Sequence, residues 1–172
     1  MTSGPITLTV GWLGRHTPPG SGVDGRRAAV IDIAQDLLLR ELHQGGVLDA
    51  LVFKGGTSLR KLYAGNQGRF SLDLDFSVSD PSSDPDTVVL HLIGEIDGLR
   101  IGPFTYAITE RRGKWWLTID SDLTREESRL ASKLDVSPPP WLPPIRRGWV
   151  SMPVHGTYGN PPLPELQVIR LE

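Results

Sequence analysis

The sequence has no cysteine, which excludes disulfides and thiolate metal sites and fits a reducing cytoplasm without demanding one. No apolar run approaches the length of a membrane span, and the start has no basic segment leading into an apolar one. The expected location is therefore cytoplasmic, with no membrane partner. Neither sign of charge dominates, since 18 Lys and Arg against 20 Asp and Glu leave a formal net charge of −2. That balance argues against coating nucleic acid by bulk electrostatics, while a local basic groove stays open. The histidines His16, His43, His91 and His155 show no metal-ligand spacing, and there is no internal repeat.

What is present suffices for one ordinary domain. At 172 residues, 38% hydrophobic and 22% charged, the chain can bury a core but has no room for a second one. Prolines crowd its last part, from Pro138, Pro139 and Pro140 to Pro161, Pro162 and Pro164. Such a segment cannot hold a continuous helix or a central strand. The expected division is a core over residues 1–137, then a proline-rich irregular segment and terminal strand of the same domain over 138–172.

The chain is organised around residues 51–76. An apolar run ending at Phe53 and Lys54 is broken by Gly55-Gly56, after which Leu59, Leu62 and Tyr63 recur at helical spacing. This reads as strand, tight turn and helix. A turn of that kind aims backbone N–H groups and the positive end of a helix dipole at one point, which favours phosphate. Thr57 and Ser58 add hydroxyls to the cradle, and Arg60 and Lys61 lie one turn on. Helical spacing is expected to bring only one of those two cations to the site and leave the other solvated. Asp73-Leu74-Asp75 follows. Residues two apart on a strand share a face, so Asp73 and Asp75 project together while Leu72, Leu74 and Phe76 face the core. Carboxylates beside a phosphate cradle suit Mg²⁺. Ser71 lies on the carboxylates' face if the strand begins early, as a site hydroxyl or a bond to backbone. Arg69 can pair with Asp73 or with a phosphate.

Phe-Lys-Gly-Gly-Thr-Ser-Leu-Arg-Lys-Leu-Tyr followed by Arg-Phe-Ser-Leu-Asp-Leu-Asp-Phe resembles the AbiEii/MenT family of nucleotidyltransferase toxins, over roughly residues 30–137. The resemblance implies a polymerase-β-like nucleotidyltransferase fold and a nucleoside monophosphate moved from an NTP onto an acceptor. It implies the 3′ end of tRNA as that acceptor, a toxin role in a toxin–antitoxin or phage-defence pair, and a cognate antitoxin as partner. It makes Asp135, in Ser132-Lys133-Leu134-Asp135-Val136, the third metal carboxylate, with Lys133 on the same face and Asp120 as runner-up. It makes Ser71 a catalytic-site residue able to accept phosphate. The nucleotide-binding set is then Lys54, Gly55, Gly56, Thr57, Ser58, Arg60 and Arg69; the catalytic set is Ser71, Asp73, Asp75, Lys133 and Asp135. The family also carries a helix with a Lys, and an acidic region, after a segment like 166–172. This chain is therefore expected to be a fragment, or a short form whose last strand leaves an apolar edge for a partner to cover. Two rival readings are a nucleotide-binding relic without activity and a transferase acting on a protein or small molecule.

Elsewhere, Ile6, Leu8 and Val10 alternate as a possible edge strand, and Asp24 is a candidate N-cap for a helix that carries one stripe, Ala28, Ile31, Ala34, Gln35, Leu38 and Leu42, and ends at Gly45-Gly46. Asp84 or Asp86 can cap a helix up to Gly98. Residues 101–110 and 114–120 form a hairpin, and 130–136 another strand. Helix, strand, helix, strand, helix and further strands predict an α+β fold, a mixed sheet with helices on one side. Trp141 and Trp149, near Arg146 and Arg147, could hold an RNA end or pack an irregular loop.

Overall fold

The structure is a computed structural model, described here for residues 4–124, 130–159 and 163–171. Among the described residues eight strands form one mixed sheet in the order β3-β4-β5-β6-β2-β1-β8-β7. The strands are β1 (Leu51–Lys54), β2 (Leu74–Val78), β3 (Arg100–Ile101), β4 (Phe104–Arg111), β5 (Lys114–Ser121), β6 (Leu130–Ser137), β7 (Ile145–Gly148) and β8 (Glu165–Val168). β2 pairs parallel with β6, β1 parallel with β8, and the other neighbours are antiparallel. The hairpin between β4 and β5 turns at Arg112 and Gly113, whose φ values of 54° and 73° are those of a two-residue turn matched to strand twist.

Alternation along the strands gives the sheet two unlike faces. Phe53, Leu74, Phe76, Leu134, Leu117, Ile119, Tyr106, Leu166 and Val168 lie on the buried one. The helices α2 (Gly22–Gln44) and α4 (Pro85–Ile96) pack there, and Tyr106 donates its hydroxyl to the Ala34 carbonyl at 2.6 Å. Phe53 and Phe76 stack across β1 and β2 with ring centroids 5.3 Å apart, worth about 0.5–1.5 kcal/mol beyond area burial. Asp84 caps α4, its carboxylate accepting from Thr87 N at 3.0 Å. The opposite face carries Lys54, Asp75, Lys133 and Asp135.

Several local expectations are overturned. Residues 6–10 form no strand. Thr9 instead caps a short helix α1 (Val10–His16), and Leu8 and Leu13 enter the core. Helix α2 starts before Asp24, with Ser21 at its N-cap position. It is buried almost all round rather than on one stripe, because α1 and the segment 149–159 cover the side turned away from the sheet. Leu72 is 42% exposed, because β2 begins only at Leu74. Among the described residues the apolar edge expected at the last strand is covered along the strand itself, while Leu171 beyond it is 47% exposed. Strand β8 lies between β1 and β7, and its Leu166 and Val168 are buried. Among the described residues no helix is long and apolar enough to cross a membrane.

Candidate active site

The turn after β1 is built so that only glycine fits. Gly55 has φ of 76°, and a Cβ there would lie 2.5 Å from Asp75 Oδ2. A Cβ on Gly56 would lie 2.8 Å from Ser71 Oγ. The missing side chains let Asp75 and Ser71 close against the start of α3 (Gly55–Leu59), whose first N–H groups have no partner within the helix. Ser71 Oγ itself has no hydrogen-bond partner among the described residues, so the backbone-bonding alternative is not what the structure adopts. Thr57 and Ser58 differ from expectation. Both are fully buried, Thr57 Oγ1 donating to the Asp73 carbonyl and Ser58 Oγ to the Gly55 carbonyl at 2.8 Å. Their hydroxyls brace the turn, and it is backbone N–H groups that remain for an anion.

Strand register lines up the charged groups. Lys54 stands opposite Asp75, and Asp75 opposite Asp135, so three adjacent strands contribute one row. Lys54 Nζ donates to Ser137 Oγ at 2.6 Å, and Ser137 Oγ to Asp135 Oδ2 at 3.1 Å. Burial raises the Asp75 pKa above the ordinary carboxylate value, and Asp73 and Asp135 raise it further, while Lys133 and Lys54 oppose them. Asp73 is exposed at the mouth, just before β2. Asp120 stands apart. Trp115 opposes Leu134, so Asp120 lies about five or six residues, roughly 20 Å, along β5 from the Asp135 row. Among the described residues no three acidic or histidine side chains already close into a metal-holding group.

Arg60 and Lys61 are placed otherwise than expected, since both are buried. After Leu59 the helix widens into a π-turn (Arg60–Ala64), and both cations point into α2. Asp32 accepts from Arg60 Nε at 2.8 Å, from Arg60 Nη2 at 3.0 Å and from Lys61 Nζ at 3.2 Å, and His16 Nε2 lies 2.8 Å from it. Lys61 also donates to Asp36, which in addition accepts from Tyr158 OH at 2.7 Å and Trp149 Nε1 at 3.3 Å. Burial, the largest single influence, would raise both carboxyls, and the Lys61 charge opposes it. Hydrogen bonds from His16 and Arg60 at Asp32, and the approach of His155 Nε2 to within 3.5 Å of Asp36 Oδ2, add to Lys61, and together they hold both pKa values down. Burial would lower Lys61, whose pKa the two carboxylates nevertheless raise. This ion group fixes the helix behind the glycine turn. Its clue lay in Asp32, Gln35 and Asp36, polar neighbours on one face of an otherwise apolar helix.

Arg69 is exposed and makes no ion pair with Asp73. Trp149 packs as a loop anchor, while Trp141 is fully exposed at 103%.

Residues 36–172 match the family described as nucleotidyl transferase AbiEii toxin, type IV toxin–antitoxin system. The match runs past the span 30–137 that carried the resemblance. Among solved structures the chain is similar to MenT4, a nucleotidyltransferase toxin from Mycobacterium tuberculosis, with 36% identity and a TM-score of 0.79 over 95% of this chain. It covers 55% of MenT4, so the chain spans about half of that protein's length. No curated protein matches it.

Proposed function

This chain belongs to the AbiEii family of nucleotidyltransferase toxins, and we propose that it transfers a nucleoside monophosphate from an NTP to the 3′ end of an RNA, tRNA above all. The single observation that carries this reading is the row Lys54, Asp75, Asp135 beside a turn that admits only Gly55. The N–H groups of residues 55–58 meet the triphosphate. Asp73, Asp75 and Asp135 form an all-carboxylate donor set, which suits an oxygen-preferring cation such as Mg²⁺. Their mutual repulsion at Asp75 is the kind of cost that a bound divalent ion relieves. Such an ion, when bound, neutralises charge on the phosphates and on the attacking and leaving oxygens.

The chain's own residues supply position and field. Lys54, tethered through Ser137 to Asp135, keeps a cation at the end of the row, and Lys133 stands two residues from Asp135 on the same face. Ser71, with a free hydroxyl against Gly56, sits where a phosphate passes. In the reaction an acceptor oxygen bonds to the α-phosphorus, the bond to the bridging oxygen breaks, and pyrophosphate leaves. A relic would have no use for carboxylates crowded at a cost, which favours an active site. A toxin of this kind acts where NTP and RNA are, in the cytoplasm, and is held in check by a cognate antitoxin.

The test is to incubate the chain with each α-labelled NTP, Mg²⁺ and total tRNA. The reading expects label in RNA and equimolar pyrophosphate. Label in protein would move the acceptor to the rival class, and no label with any NTP would support the relic.

A further inference from the structure

A second concavity lies outside the carboxylate row. It is a cleft of about 320 Å³ between α1 and residues 66–70, with Trp12, Arg15, His16, Arg60, Arg69 and Phe70 in its walls. Among the described residues no carboxylate lines it. His16 and Arg60 are held from behind by Asp32, so their orientation is fixed and Arg60 is neutralised. The Arg60 guanidinium covers one face of Phe70 at 4.1 Å, and His16 meets that ring edge-on with centroids 5.6 Å apart. Arg15 and Arg69 are different. Both are exposed, and neither has an acidic partner among the described residues. The Arg15 guanidinium sits over the Trp12 ring, 3.9 Å from its centroid, and its Nε donates to the Gly11 carbonyl at 3.4 Å, while the side chain stays exposed.

The cleft connects to the row along one piece of chain. Phe70 is followed by Ser71, which touches Gly56, and then by Asp73, whose carbonyl is bound by Thr57. Arg69 and Asp73 are thus separated by at most about 14 Å of extended backbone. Two uncompensated cations, a stacked guanidinium plane and aromatic walls are what a single-stranded nucleic acid meets on its binding proteins. In the transfer reading the triphosphate already has its place at the Gly55 turn beside the carboxylate row, which leaves both cleft arginines for successive phosphodiesters.

We infer that this cleft holds the acceptor, taking the nucleotides that precede a single-stranded RNA 3′ end, with Arg15 and Arg69 on phosphates and a base on the Arg15–Trp12 stack. The inference rests on the transfer reading above for its orientation, with the 3′ end toward Asp73. The NTP stays at residues 54–58.

The test measures binding directly. A short, dye-labelled single-stranded RNA ending in a 3′-deoxynucleotide, which cannot react, is titrated against the chain and against Arg15→Ala, Arg69→Ala and the double variant over a range of salt. Binding of a labelled NTP with Mg²⁺ is measured in parallel. Both arginines are exposed, so the variants fold. The expected result is RNA affinity roughly tenfold lower in the double variant, a salt slope about 0.7 smaller per arginine removed, and NTP binding unchanged in Arg15→Ala. Unchanged RNA affinity and slope, loss of NTP binding in place of RNA binding, or no RNA binding by the unaltered chain would each overturn it. Because no chemistry is needed, the two failures separate. A chain that transfers to nothing, yet loses RNA binding in the double variant, retracts the transfer reading and keeps the cleft. Wild-type transfer to RNA by the double variant overturns the cleft alone.

Discussion

Replacing Lys61 by Met tests whether the buried ion group holds the site together. Lys61 has no exposed surface, and its ammonium meets the Asp32 carbonyl at 2.9 Å, Asp32 Oδ1 at 3.2 Å and the Asp36 carboxylate. Each charge pair at about 3 Å is worth roughly 5 kcal/mol at an effective dielectric near 20. Against this stands the several kcal/mol needed to desolvate each ion, so the net cost of removing one partner is about 3–5 kcal/mol. That is about a fifth or more of the roughly 5–15 kcal/mol that stabilises a domain, and corresponds to a fall in Tm of about 6–20 °C. The loss should depend on pH. In the unaltered chain the Asp36 pKa is lowered, so its contribution is present above the unfolded carboxylate pKa and is lost as pH falls through the folded value. Without Lys61, burial dominates and raises that pKa, so the variant is penalised most near neutral pH and least near about pH 4. Urea unfolding of both proteins at the two pH values reads the difference. A loss below about 1 kcal/mol, or one independent of pH, would refute the reasoning. Adding Asp36→Asn should recover part of the loss, because the amide removes the stranded charge.

Asp75→Asn should abolish transfer while leaving the fold as stable or more so near neutral pH. The Asp75 pKa is raised, chiefly by burial and then by Asp73 and Asp135, so folding loses stability as pH rises through the window between the unfolded and folded values. An amide removes that penalty, and a thermal melt beside a labelled-nucleotide assay would expose either a destabilised or an active variant. Gly55→Ala should cost about 1–3 kcal/mol for a left-handed backbone and also push Asp75 out of the row, since its Cβ would meet Oδ2 at 2.5 Å. A melt and an assay indistinguishable from the unaltered chain would mean that the turn is not the constraint described.

What could be read from the sequence was local. Gly55-Gly56 and Asp73-Leu74-Asp75 announce a turn and a shared strand face, because those geometries are set within a few residues. The pairing of Asp75 with Asp135 joins strands 60 residues apart in sequence, and it came through the resemblance, not through periodicity. Asp32 and Asp36 were missed because α2 was read as one apolar stripe against a sheet. Their counter-charges, Arg60 and Lys61, seemed placed for phosphate, and only the packing of the two helices shows that the cations turn inward. Strand β7 escaped notice since Ile145, Arg146 and Arg147 carry no alternating apolar pattern, and an edge position among prolines needs none. The α+β class, the mixed sheet and the helices on one face were legible from element order.

On the proposed transfer reading, Asp73, Asp75 and Asp135 would hold a divalent ion beside the turn at residues 55–58. Crystals grown with Mn²⁺ and a non-hydrolysable NTP would locate the ion directly from its anomalous scattering. The account predicts a peak bounded by carboxylate oxygens of Asp73 and Asp75, with Asp135 beside it, and the triphosphate on the turn at Gly55 and Gly56. A nucleotide ordered elsewhere, or a manganese peak that none of the three carboxylates touches, would contradict it.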